Sequence, residues 1–139
     1  MKYLKTYENL YNIMEKELIN FLESFLSNYD DIYVKRAISK NKFFLKVNEF
    51  HSKHIFTIKD VDYYPGDEHR YFEINFDSEI KKVDYLEPSI LNAVLFIEDV
   101  VKNYNQNSNM IKVSDVKNII DEINPENLEL YIDANKYNL

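Results

Sequence analysis

In this 139-residue chain, the residues whose types and spacing suit chemistry are three histidines, His51, His54 and His69, and the carboxylates near them. His51-Ser52-Lys53-His54 sets two imidazoles three positions apart, with Glu49, Asp60, Asp62, Asp67 and Glu68 close by in sequence. Imidazole nitrogens and carboxylate oxygens together make the donor set of a divalent-metal centre. A centre using His51 and His54 would suit a small metal-dependent or nucleotide-handling enzyme, and this is the alternative reading of the chain. The spacing argues against it. The pair falls on a connection between strands instead of one face of a helix, no further ligand follows at a zinc-site interval, and the acidic run 60–69 lacks the ligand spacing of an EF-hand.

Composition removes other chemistries. Cysteine is absent, which excludes disulfides, thiolate metal sites and a cysteine nucleophile. Gly66 is the only glycine, so neither a dinucleotide fingerprint nor a P-loop can be built. No nucleophile elbow stands out. The expectation is therefore a protein that is not an enzyme and needs no cofactor or metal.

A second set of residues suits recognition. Tyr63 and Tyr64 sit in the longest connection, flanked by Asp60, Asp62, Asp67 and Glu68. Tyrosine supplies large contact area at little entropic cost, so these six residues are the expected partner-binding site. The simpler alternative has both rings lying back over the sheet edge. Lys35, Arg36, Lys40, Lys42, Lys46 and Lys53 interleave with Tyr33, Phe43, Phe44 and Phe50, a mixture that suits stacking and phosphate contacts with a single strand. Some of those aromatics must belong to the core, since residues 43 and 50 differ in strand parity.

The elements that position these residues follow from periodicity. Leu4, Tyr7, Tyr11, Met14, Leu18, Phe21 and Phe25 alternate spacings of three and four, the stripe of an amphipathic helix that should end near Ser27-Asn28-Tyr29-Asp30. This stripe suits a core-facing helix, or a homodimer through the helix Leu4 to Phe25. From Asp31 to Glu79 the period falls to two, which predicts four strands with Ile32/Val34, Phe43/Leu45/Val47, Phe56/Ile58 and Phe72/Ile74/Phe76 each on one face. Ile55 is expected on the other face with Thr57 and Lys59. Tyr64-Pro65-Gly66-Asp67 suits a type II turn at a hairpin tip.

Glu87-Pro88-Ser89 opens a helix that is apolar around most of its circumference from Ile90 to Tyr104, as a helix between a sheet and another helix should be. Met110 to Val113 reads as a short strand or as the approach to Ser114, the expected N-cap of a helix over 115–123. Asn124-Pro125 stops that helix, and 126–134 forms one more. The whole predicts a single α+β domain over 1–139: an N-terminal helix, a four-stranded antiparallel meander, then two or three C-terminal helices packed on one face of the sheet.

Charge is distributed unevenly. Residues 1–31 carry three lysines against six acids, 32–59 seven basic residues against Glu49, 60–79 Arg70 against seven acids, and 114–139 two lysines against six acids. Sequential pairing would set a basic half of the sheet beside an acidic half, which suits cross-strand complementarity that fixes register. The net charge of −7 disfavours nucleic acid and favours a basic protein partner. The N-terminal segment mixes charges through its apolar positions, unlike a signal peptide or a membrane span, so a cytoplasmic location is expected. Heavy use of Asn, Lys, Ile, Tyr and Phe points to an AT-rich bacterial or phage gene. These features lead to the expectation of an acidic protein-binding module. It would inhibit a basic, nucleic-acid-handling protein, in the manner of an immunity or phage anti-defence protein.

Overall fold

The computed structural model describes residues 2–36, 42–47, 54–60, 71–82, 86–104 and 109–136. The first element is a long helix, α1 (Lys2–Leu26). Its described core side chains, Met14, Leu18, Ile19, Leu22, Phe25 and Leu26, recur at helical spacing and are all buried. That part of the stripe is taken up by the chain's own core. The helix ends where expected. With no glycine at hand, side chains close its last turn: the Ser27 hydroxyl donates to the Glu23 carbonyl at 2.6 Å, and the Asn28 amide donates to the Ser24 and Phe25 carbonyls.

β1 (Ile32–Arg36), β2 (Lys42–Val47), β3 (His54–Asp60) and β4 (Tyr71–Phe76) follow as an antiparallel meander. The sheet has five strands where four were expected, in the order β1-β2-β3-β4-β5. The fifth, β5 (Met110–Lys112), pairs antiparallel with β4 through Phe72↔Ile111. At three residues it is too short to show a period of its own. Inward positions align across the ladder as Val34↔Leu45, Leu45↔Phe56 and Phe56↔Phe76 on one row, and Ile58↔Ile74 on the next. Phe56 and Phe76 meet with ring centroids 5.4 Å apart.

The alternation breaks once. Leu45 pairs with Phe56 but Lys46 pairs with His54, so Ile55 is an extra residue on β3. At such a bulge the strand bends and consecutive side chains no longer divide between the faces. Ile55 and Phe56 are both completely buried, which corrects the expectation that Ile55 shares an outer face with Thr57 and Lys59.

After β4, the Asp77 carboxylate accepts from the Glu79 amide and opens a 3-10 turn (Ser78–Lys81) that buries Ile80. α2 (Pro88–Tyr104) then runs through the centre of the helical layer. Ile90, Ala93, Val94, Phe96, Ile97, Val100 and Val101 are buried on it, and it touches α1, β5 and both later helices. Glu98, largely sheltered, bridges Lys81 and Lys102 at 3.3 Å each and ties the 3-10 turn to α2.

Ser114 does not act as an N-cap. It lies inside a second 3-10 turn (Val113–Asp115), and α3 (Val116–Glu122) starts behind Asp115 without a side-chain cap. The chain reaches the helix directly from a strand, so a tight turn takes the place that a capping residue would fill. α4 (Pro125–Lys136) does carry a side-chain cap: Asn124 Oδ1 accepts from the Asn127 amide at 2.8 Å, with Pro125 behind it. The Asn124 and Asn127 amides donate back to the Asp121 and Glu122 carbonyls at the end of α3. Asparagine thus closes one helix and opens the next. Leu128, Tyr131 and Ile132 seat α4 on the core, with the Tyr131 ring 5.6 Å from that of Phe96.

The described buried residues form one apolar cluster between the helices and one face of the sheet, and none of them is polar or charged. Each fully buried Leu, Ile or Phe contributes about 1.5–3 kcal/mol relative to an exposed one. The order helix, meander, helices on one face is the α+β arrangement expected.

Candidate functional site

Of the residues expected at a partner or metal site, the structure describes the backbone of two. Asp60 is the last residue of β3, opposite Phe72, and His54 is the first, opposite Lys46. They stand at opposite ends of the same strand. His51, Asp62, Tyr63, Tyr64, Asp67 and Glu68 lie outside the described residues. Among the described residues, no group of three or more histidines and carboxylates is placed to hold a metal ion.

Two other surfaces emerge. The first is the outer face of the sheet. The described helices all lie on the inner side of the sheet, and apart from the bulged Ile55 no described residue expected at an outer position is buried. Tyr33, Lys35, Lys59 and Asn75 are exposed, and Lys46, Thr57, Glu73, Met110 and Lys112 are half-buried. Asn75 accepts a side-chain hydrogen bond from Asn109, which extends the β4–β5 pairing. Lys59 stands opposite Glu73 on one side and opposite Lys42 on the other. Among the described residues, no ion pair engages Lys35, Lys46, Lys59 or Lys112. Lys35, Lys46 and Lys59 from the basic segment 32–59 and Lys112 of β5 therefore share a face that the segment charges alone did not reveal.

The second surface is the outer side of the helical layer. On α4, Glu126, Glu129, Leu130 and Asp133 are all exposed, and their spacings of three, four and seven set them on one stripe. Leu130 is 67% exposed, the most exposed large apolar side chain among the described residues. It lies about half a turn away from Leu128, which is buried. Asp121 and Glu122 at the end of α3 extend the acidic surface, against exposed Lys117 and Lys136. The Lys136–Asp133 pair, at 3.9 Å between two exposed groups, neutralises little of it. This stripe was legible: once Leu128, Tyr131 and Ile132 are taken as inward, Leu130 must point away among the acids.

Two tyrosines fasten this layer and feel its charge. The Tyr104 hydroxyl donates to Glu122 Oε1 at 2.8 Å, joining the end of α2 to the end of α3. Burial, then the Glu122 hydrogen bond and charge, with Asp115 and Asp121 adding to them, push its pKa up to about 12. Tyr131 is also raised, first by burial and then by Asp99 and Glu98, against a lowering hydrogen bond from Asn135. Both shifts favour the neutral phenol. In Tyr104 the retained proton is the one that the hydrogen bond to Glu122 uses to join α2 to α3.

Compared with protein-family models, curated proteins and solved structures, the chain matches none. No described helix is long and apolar enough to cross a membrane.

Proposed function

We propose that the protein is a non-enzymatic binding module that recognises a basic protein through the acidic outer side of its helical layer. The observation that carries the proposal is the α4 stripe: Glu126, Glu129 and Asp133 ringing the exposed Leu130. An apolar centre with a charged rim is the anatomy of a protein interface, and the like-signed rim selects a partner of opposite sign and raises its encounter rate. Concentrating negative charge on one side costs stability through self-repulsion, and a basic partner relieves that cost.

Nucleic-acid-handling proteins bear extended basic surfaces, and covering such a surface would inhibit one. This makes an immunity or anti-defence role the specific form of the proposal. The test is affinity capture from the native host with the wild type and with Glu126→Lys/Glu129→Lys/Asp133→Lys, each first checked for a native circular-dichroism spectrum. One basic protein retained stoichiometrically by the wild type and lost by the variant supports the proposal. Equal retention by both, or no retained protein, overturns it.

A further inference from the structure

The surface that this function leaves unused is the outer face of the sheet. At described outer positions, Lys35, Lys46, Lys59 and Lys112 occur on four of the five strands, with Glu73 the one carboxylate among them. Neighbouring strands lie about 4.8 Å apart, so the face spans about 19 Å from β1 to β5. Over that distance the lysines are dispersed across the face, not gathered at a point.

Two features set this face apart from an ordinary solvated one. Lys59 has a second lysine, Lys42, at the opposed position of β2, a like-charge pairing that costs stability, and Glu73 on β4 is the one carboxylate opposed to it. Beside the lysines, Tyr33 is 42% exposed on β1, in register with Lys46. A flat sheet carrying an exposed aromatic ring among cations is the combination that binds single strands. The ring stacks on a base, and the lysines meet successive phosphates.

Part of the chain's net charge of −7 lies on helices remote from this face. The acidic helices α3 and α4 stand on the far side of the sheet, with α4 packed on α2 and separated from the outer face by two layers at roughly 10 Å per layer. That separation exceeds the Debye length of about 8 Å at physiological ionic strength, so the acids of α3 and α4 repel the phosphates of a bound strand only weakly.

We infer that the uncovered face of the sheet is a binding site for single-stranded nucleic acid, with Lys35, Lys46, Lys59 and Lys112 contacting phosphates and Tyr33 stacking on a base. The site is separate from the α4 stripe and would operate whether or not a protein is bound there. An acidic protein segment is the competing occupant, and the experiment distinguishes the two.

The test is fluorescence anisotropy of the full chain with labelled oligothymidylate of about 20 nucleotides, longer than the usual site size, in comparison with a duplex of equal length and with polyglutamate. Four phosphate contacts predict that log K falls against log salt with a slope of about −3. Lys35→Glu/Lys59→Glu should weaken binding by at least tenfold, and Tyr33→Ala by about fivefold or more. Lys117→Glu, an exposed lysine on α3, should leave binding unchanged. If the double reversal fails to fold, Lys35→Gln/Lys59→Gln reports the same loss in smaller measure. Preference for the single strand with those losses supports the site. Absence of binding at about 50 mM salt overturns it, as does equal affinity for polyglutamate with no effect of Tyr33→Ala.

Discussion

Replacing Ile55 with alanine tests the register on which both faces of the sheet depend. By strict alternation, Ile55 belongs outside with Thr57 and Lys59, where truncation would change stability by no more than about 0.5 kcal/mol. The bulge opposite Leu45 and Lys46 instead leaves Ile55 completely buried beside Phe56. Removing a buried isoleucine side chain to alanine costs about 2–5 kcal/mol, the transfer free energy together with the cavity left behind. Because the cluster around it is continuous and apolar, about 3 kcal/mol is the expected value. Urea unfolding followed by far-ultraviolet circular dichroism measures this directly. With a slope of about 1–3 kcal/mol per molar urea, the midpoint should fall by about 1–3 M at unchanged slope, whereas Thr57→Ala should barely move it. Matching midpoints for the two variants would refute the bulge, and with it the assignment of lysines to the outer face.

The helix ends make a second prediction. Asn124→Ala removes the cap of α4 and a donor to the end of α3, so it should cost about 1–2 kcal/mol, while Asn124→Asp keeps the acceptor for the Asn127 amide and loses less. Equal losses by thermal unfolding would show that the cap contributes nothing. Tyr104 supplies a third. Its phenol is neutral to a higher pH in the folded chain than in the unfolded one, so the folded state holds an extra proton as pH rises above the ordinary tyrosine pKa of about 10. The stabilisation is complete below that pH and is lost as pH climbs toward about 12. In a tyrosinate absorbance titration, Tyr104→Phe should remove a late-ionising component, and stability should fall less steeply from about pH 10 upward than in the wild type. An unchanged high-pH limb would contradict the Glu122 hydrogen bond.

The architecture was legible wherever a pattern ran long enough to show its period. The stripe of α1 and the alternation of Phe72, Ile74 and Phe76 each identify an element and its buried face. β5 spans three residues and is held by long-range pairing with β4, so the local sequence left open whether Met110 to Val113 was a strand or the approach to a helix. The bulge at Ile55 is likewise a property of two strands together. Ser114 is a good capping residue by type, yet the geometry of leaving β5 puts it inside a turn. Loop 60–69 carried the expected contact residues, of which only Asp60 falls within the described part of the chain. The surfaces described on α4 and on the sheet depend on knowing which side of each element faces the core. The α4 stripe follows from helical spacing. The lysine face needed strand register as well, which alternation within single strands does not provide.

The most direct test of partner recognition through α4 is the association rate of the captured partner at low and physiological ionic strength, for wild type and for Glu126→Lys/Glu129→Lys/Asp133→Lys. Electrostatic steering predicts a wild-type rate that falls about tenfold or more between about 50 and 200 mM salt, and a reversed variant that associates slowly at both. A wild-type rate insensitive to salt, or a variant that associates as fast as the wild type, would contradict recognition by the acidic helical face.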